Sequence, residues 1–253
     1  MITIGLKSLA DARRRPVEVL GGTFYKSEWM DNGEDASVLS PTVFLAEQPP
    51  DYVLPTHFHK QNQFQLFVEG AGSLGPDAVG PVTIHYAGAY TGYGPLVSGS
   101  TGLKYFTIRA IFDTGRTFSS EGRSQMVRGP KRHSAAAVGA PWDTARLAAL
   151  EHVESTFPMP PARGLAARHA RLPPTASIPI EPIAESDGQF IFILSGSARL
   201  GDDGLARWES AFVSANESGV NLIAGEQGAE VVCLHVPVTA PEYAFKPESA
   251  MPS

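Results

Sequence analysis

One block of this chain occurs twice. Gln63-Phe64, followed by Gly70 and Gly75, returns 126 residues later as Gln189-Phe190, followed by Gly196 and Gly201. The same spacing carries Ser98-Gly99 onto Ala224-Gly225 and Gly102 onto Gly228. Upstream, Pro49-Pro50 meets Pro173-Pro174 at an offset of 124, and a two-residue insertion near Asp187-Gly188 absorbs the difference. A register shared over that span predicts two like units in tandem.

The units read as β structure. Short runs rich in Val, Ile, Phe, Tyr and Thr recur at Val17–Leu20, Thr42–Leu45, Phe64–Val68, Val82–Tyr86, Tyr105–Ile111, Phe190–Leu194 and Val231–Val236. The 25 glycines and 21 prolines punctuate them as turns. Many short strands with Gly/Pro turns make an all-β sandwich or barrel. We expect a first barrel over residues 1–125 and a connector rich in Ser, Ala, Gly and Pro over 126–160. A second barrel follows over 161–245, with a loose tail at 246–253. One helix is expected, Trp142–Glu154, with Asp143 or Thr144 as N-cap and Pro158 past its end.

Bulk properties narrow the partners. Of 253 residues, 43% are hydrophobic and 18% charged, which suits a packed core. The formal net charge of -6 gives no electrostatic reason for a nucleic-acid or anionic-membrane partner. The single cysteine, Cys233, excludes an internal disulfide and fits a reducing compartment. No secretory signal is legible before Arg15, and no run reaches the roughly 20 apolar residues of a membrane helix. A cytoplasmic protein is the expectation.

Chemistry concentrates at His57-Phe58-His59-Lys60-Gln61-Asn62-Gln63, which runs into a strand ending at Glu69-Gly70. Histidines one residue apart share a face on extended backbone, and Gln63, Gln65 and Phe67 share a face of the next strand. Two imidazoles and two carboxamides inside a barrel each need a partner. A divalent ion with water satisfies them, and so does a closed hydrogen-bonded cluster without an ion. At the repeat offset, His57 falls on Glu181 and His59 on Ile183, while Gln63 keeps its counterpart in Gln189. One barrel is therefore expected to carry the chemistry and the other to be scaffold.

The stretch Pro55-Thr56-His57-Phe58-His59, with Gln63 and Gly70 behind it, resembles the first motif of the cupins, with Gln63 at the motif's glutamate. The duplication makes the chain similar to the bicupins, and to a group of them that supplies a fold but no reaction. The resemblance implies two tandem jelly-roll barrels and one divalent transition metal, Fe, Mn, Ni, Cu or Zn, in the first. The second cupin motif supplies a histidine ligand. Here the matching stretch, Ala87 to Leu96, has the turn glycines and Pro95 but no histidine.

Several residues stand open for the vacant roles. His85 is a candidate fourth ligand or a structural histidine in an apolar strand. Tyr93, near the missing histidine, is a metal neighbour or proton donor, or else a turn tyrosine. Arg109 shares a face with Tyr105 and Thr107, as a clamp for a substrate carboxylate or an exposed strand end. Replacing a carboxylate by Gln63 removes a negative charge, which weakens attraction for an ion and leaves a stronger Lewis acid. His133, His152 and His169 read as surface residues, His235 as packing, Cys233 as a buried inert thiol and Glu69 as solvated.

Three functions fit this pattern. One is a metal-dependent enzyme on a small oxygenated metabolite, by oxygenation, isomerisation, decarboxylation or hydrolysis. Another is a non-catalytic small-molecule binding or sensing barrel, and the last a structural protein. Sheet edges that need covering lead us to expect a homodimer.

Overall fold

The structure is a computed structural model that describes residues 1–19, 22–120 and 122–244. Two large antiparallel sheets on one plan make a pair of jelly-roll barrels, and a small two-stranded sheet pairs His57–Phe58 with Thr117–Phe118. At the centre of the first, Gln63–Leu74 pairs with Leu96–Arg109, with Leu66 opposite Phe106 and Phe64 opposite Ile108. At the centre of the second, Ser186–Leu200 pairs with Asn221–Pro237, with Phe192 opposite Val232 and Phe190 opposite Leu234. Each pair is the 126-residue image of the other. The 124 offset returns as well: Leu103 faces Gln48 in one sheet, and Ala229 faces Leu172 in the other.

Glycine explains why the repeated turns kept their spacing. Gly70 and Gly102 both have positive φ, and a Cβ on Gly70 would lie 2.2 Å from the Gly102 carbonyl oxygen. Gly196 and Gly228 repeat both the backbone angles and the contact, again at 2.2 Å. Only a residue without a side chain fits either crossing.

The apolar residues form three layers. Alternation sends Phe64, Leu66, Phe106 and Ile108 out of the first barrel and Phe190, Phe192, Val232 and Leu234 out of the second, into one shared layer. Phe106 and Phe192 meet there edge to face, with centroids 4.5 Å apart. The opposite faces fill the interiors. Phe67, Leu96, Leu103 and Tyr105 pack inside the first barrel, and Ile191, Ile193, Val231 and Cys233 inside the second. Both faces of each central strand are thus buried.

Strand pairing crosses the boundaries expected from sequence. Ile2–Gly5, inside the expected first unit, pairs with Ser210–Ser214 of the second sheet. His133–Ala137, inside the expected connector, pairs with Thr83–Ala87 of the first. Both strands cover the same edge of their respective sheets. Glu154–Ala162, the end of the connector, pairs with Leu165–Leu172.

The helix is shorter than expected, at Thr144–Ala148, capped by Asp143 accepting from the Arg146 N–H. Glu154 has already entered a strand, where it pairs with Arg171. A second helix, Lys7–Ala12, was not legible and has no side-chain cap. Leu20 and residues 245 onward lie outside the described residues. Among the described residues, no helix is long and apolar enough to cross a membrane.

The shared layer makes a measurable prediction. Phe192→Ala removes the ring that packs on Phe106 from the other barrel and should cost about 3–5 kcal/mol in urea unfolding. Phe106→Ala should cost a similar amount, and the double variant less than the sum, because the two truncations empty one contact.

Candidate functional site

The polar cluster lies inside the first barrel. His57, Gln63, Gln65, His85, Thr107, Arg109 and Tyr93 are all buried there, whereas in the second barrel Ile191, Ala211 and Cys233 stand where Gln65, His85 and Thr107 do. Backbone geometry collects them. The His57 N–H donates to the Tyr93 carbonyl at 3.1 Å and the Tyr93 N–H to the His57 carbonyl at 3.0 Å. That two-bond bridge brings the turn after Gly92 against the histidine pair. Gln65 pairs with His85 on one side and Thr107 on the other, and Arg109 follows Thr107 on the same face.

Hydrogen bonds assign both imidazoles. His57 Nδ1 lies 2.7 Å from the Pro55 carbonyl oxygen, an acceptor, so Nδ1 carries the proton and Nε2 the lone pair. His59 Nδ1 lies 2.8 Å from Asp113 Oδ1, with the same consequence. Burial lowers the pKa of His57 to about 3 and that of His59 to about 4, the latter with help from the Arg109 charge. Both rings are neutral, with Nε2 unprotonated on each. The rings stand nearly perpendicular, with centroids 5.4 Å apart.

Asp113 has no spacing signal in the sequence, because it sits 54 residues from His59. Its Oδ2 accepts from the Lys60 and Gln61 N–H groups, and its Oδ1 from Gly115 N–H as well as from His59. Burial opposes its charge, but the Arg109 guanidinium and the His59 hydrogen bond hold the carboxyl below its usual range. Asp113 is therefore an ionised carboxylate fixing the ring orientation of His59 from behind.

Tyr93 and Arg109 complete the cluster. Tyr93 Oη lies 3.0 Å from His57 Nε2 and donates to it, while Gln63 Nε2 donates to the Tyr93 oxygen. Burial raises the Tyr93 pKa, so the phenol keeps its proton. Arg109 Nε and Nη2 donate to Gln63 Oε1 at 3.1 and 2.8 Å, and Nη2 lies 3.1 Å from His59 Nδ1 and 3.4 Å from its Nε2. Neither residue is the exposed turn or strand end that the sequence also allowed. Arg109 is 6% exposed and no carboxylate among the described residues pairs with it directly. It forms part of the wall of a cleft of about 190 Å³ at the barrel mouth, beside Lys26, Glu28, Thr42, Phe44 and Asp113.

His85 also points inward. Its Nδ1 donates to Gln65 Oε1 at 2.8 Å, and its Nε2 is buried with no partner among the described residues. It nonetheless stays apart from the pair. Among the described residues, no three His, Cys, Asp or Glu side chains converge as a metal cage. His59, His57, Gln63, Tyr93 and Arg109 are brought together, and His85 packs beside Tyr93 and His133 instead.

Other side chains sort simply. His133 and His152 are exposed. His169 is buried rather than on the surface, because its Nε2 bonds the buried carboxylate of Glu230 at 2.7 Å. His235 is packed in the second barrel. Burial raises the Cys233 pKa to about 12, the signature of an inert thiol. Glu69 is exposed and pairs with Lys104 at 2.8 Å.

The residues fit a divalent ion at two points. Neutral imidazoles whose Nδ1–H groups bond a carbonyl and a carboxylate present the ligating tautomer inward. Gln63 is different, since both acceptor sites of its oxygen are taken by Arg109.

Buried neutral histidines tie stability to acid. Folded His57, His59 and His85 refuse protons until about pH 3 to 4. The unfolded chain binds them from near pH 6.5 downward. The unfolded state therefore holds more protons in that window, and stability must fall as pH drops through it. Each histidine contributes a slope of up to about 1.4 kcal/mol per pH unit. Urea unfolding at pH 7.5, 6 and 5 should show the decline, and His85→Gln should flatten it. The Asp113 contribution is lost only further down, below about pH 4.

No protein-family model matches this chain, and no curated protein matches it. Its structural neighbours are cupin-family proteins. The bacterial pirin YhhW from Escherichia coli, solved in complex with nickel(II), aligns with a TM-score of 0.59 and 12% identity over 94% of this chain and 100% of its own. The oxalate decarboxylase of Lactobacillus farciminis, solved as a formate complex, aligns at 0.60 and 11% over 92% and 86%. The 11S globulin of Wrightia tinctoria, described with an auxin binding site, aligns at 0.57 and 13% over 89% and 84%.

Proposed function

From a chain with the two-barrel cupin fold, we propose a metal-dependent enzyme acting on a small oxygenated metabolite that carries a carboxylate. One divalent transition ion, Fe, Mn, Ni, Cu or Zn, would be held by the Nε2 atoms of His57 and His59. The supporting observation is their shared tautomer, fixed by Pro55 and Asp113, which leaves an unprotonated Nε2 on each of two buried rings with centroids 5.4 Å apart. When bound, the ion supplies Lewis acidity toward a carbonyl or a water molecule.

The chain's own groups do the rest. Arg109 reaches the mouth cleft and supplies a planar fork for a carboxylate. Asp113 holds the Nδ1 proton of His59 and fixes the ring's direction, while burial and the Arg109 charge keep Nε2 unprotonated. Tyr93 holds a proton at Oη beside His57, the one phenol placed to hand a proton to a substrate oxygen. The apolar barrel floor of Phe67, Leu103 and Tyr105 excludes bulk water. Oxygenation, isomerisation, decarboxylation and hydrolysis all use these parts.

A second reading is supported by Arg109 itself. A buried guanidinium bonded to Gln63, with no carboxylate ligand beside it, also suits a metal-free barrel that binds a small anion without turning it over. A homodimer is expected under either reading, from sheet edges that need covering.

One experiment separates them. Protein purified without added metal, then assayed by elemental analysis, should contain close to one equivalent of a transition ion. His57→Ala and His59→Ala should lose it. Less than a tenth of an equivalent, with no thermal shift on adding any of the five ions, defeats the enzyme reading. Stabilisation by small carboxylates that ignores a chelator then selects the metal-free barrel.

A further inference from the structure

Within the expected metal set His57 Nε2 accepts from the Tyr93 hydroxyl, which can rotate away, whereas the Gln63 oxygen is held by a guanidinium. A carboxamide oxygen has two acceptor positions. Arg109 fills both, through Nε and Nη2 of a single guanidinium. The same Nη2 stands 3.4 Å from His59 Nε2, so a fixed positive charge lies against a second expected ligand. An ion at the imidazole pair meets that charge and lacks the oxygen. Both effects weaken its binding.

The guanidinium is itself poorly served. Gln63 is a neutral acceptor, Asp113 spends its oxygens on His59, Gly115 and two backbone N–H groups, and no described carboxylate pairs with Arg109 directly. Arg109 Nη1 has no protein acceptor among the described residues, while the residue lines the open mouth cleft. Beside it in that cleft, Glu28 is engaged by Arg15 and Lys26 and is not free to serve it. An incoming carboxylate is a stronger, charged and bidentate acceptor for the same fork.

We propose that Arg109 couples the two ligands of this site: a carboxylate entering by the mouth takes the guanidinium, which releases Gln63 Oε1 to an ion at His57 and His59. This rests on the metal reading given above and adds its regulation. The carboxylate neutralises the charge beside the ion and frees the third donor in one movement. Metal and carboxylate then bind cooperatively, and by linkage each tightens the other by the same factor. An empty mouth leaves the ion weakly held, and an occupied mouth completes the site.

The test is calorimetric titration of the full chain, freed of metal, with Ni(II). It is run with and without propionate, a carboxylate that chelates Ni(II) weakly, at matched ionic strength with chloride as the control anion. Propionate should tighten Ni(II) about tenfold, within the usual range of such couplings. Ni(II) should tighten propionate equally. Arg109→Gln should bind Ni(II) more tightly than the wild type without propionate and ignore its addition. Gln63→Ala should still bind propionate but keep only a smaller coupling, the part due to charge neutralisation, so the inference stays testable if the arginine variant fails to fold. Ni(II) binding in the wild type that is unchanged or weakened by propionate overturns the coupling and leaves the metal reading standing. No Ni(II) binding under any condition, in the wild type or in Arg109→Gln, removes the metal reading itself, and the coupling with it.

Discussion

The layer between the barrels sets everything else. Phe64, Leu66, Phe106 and Ile108 from one sheet and Phe190, Phe192, Val232 and Leu234 from the other are all fully buried against each other. Because strand side chains alternate, fixing one face fixes the other. Phe64 and Leu66 facing the partner barrel force Gln63 and Gln65 inward. Phe106 and Ile108 doing so force Tyr105, Thr107 and Arg109 inward. A one-residue slip would bury the amides between barrels and turn the phenylalanines into the site. The polar interior is thus placed by apolar contacts it does not touch.

That interior costs the fold something. A guanidinium, a carboxylate, three imidazoles and the carboxamides of Gln48, Gln63 and Gln65 leave water for a barrel lined by Phe67, Leu96 and Leu103. Most find partners, which is what buried polar groups require. His85 Nε2, Gln48 Oε1 and Tyr52 Oη do not, among the described residues. A barrel designed only for stability would use apolar side chains of similar size at these positions. The second barrel does so at three of them, with Ile191, Ala211 and Cys233 in place of Gln65, His85 and Thr107, and keeps buried Gln189 and His235 at two others.

Much of this was legible. The repeat offset, read from paired glycines and prolines, returns as strand register, because those residues sit where positive φ or close backbone contact leaves no choice. His57, His59 and Gln63 share an interior because alternation is a local rule. Asp113 was not legible. It reaches His59 through a loop that folds back after 54 residues, and no local rule predicts such a return. The exchange of Ile2–Gly5 into the second sheet was hidden for the same reason: any short apolar strand suits either edge, and tertiary packing chooses. His85 shows a third kind of limit. Its inward direction follows from its strand, but its failure to converge with the pair depends on distances the sequence does not carry.

Set side by side, the two barrels show what the site needs. Gln65, flanked by His85 and Thr107, becomes Ile191 flanked by Ala211 and Cys233. Tyr93 falls on Gly219, Arg109 on His235, His57 on Glu181 and Asp113 on Thr239. Only the glutamine persists, and in the second barrel its Nε2 donates to the Glu181 carbonyl oxygen at 2.8 Å, a bond to backbone. The same residue at the same place in the same fold therefore does two different things. In one barrel Gln189 ties a loop to a strand. In the other Gln63 stands between a phenol and a guanidinium, its two ends bonded to groups of different chemistry. The fold supplies the position, and the neighbours supplied by the rest of the sequence decide whether that position is structural or chemical.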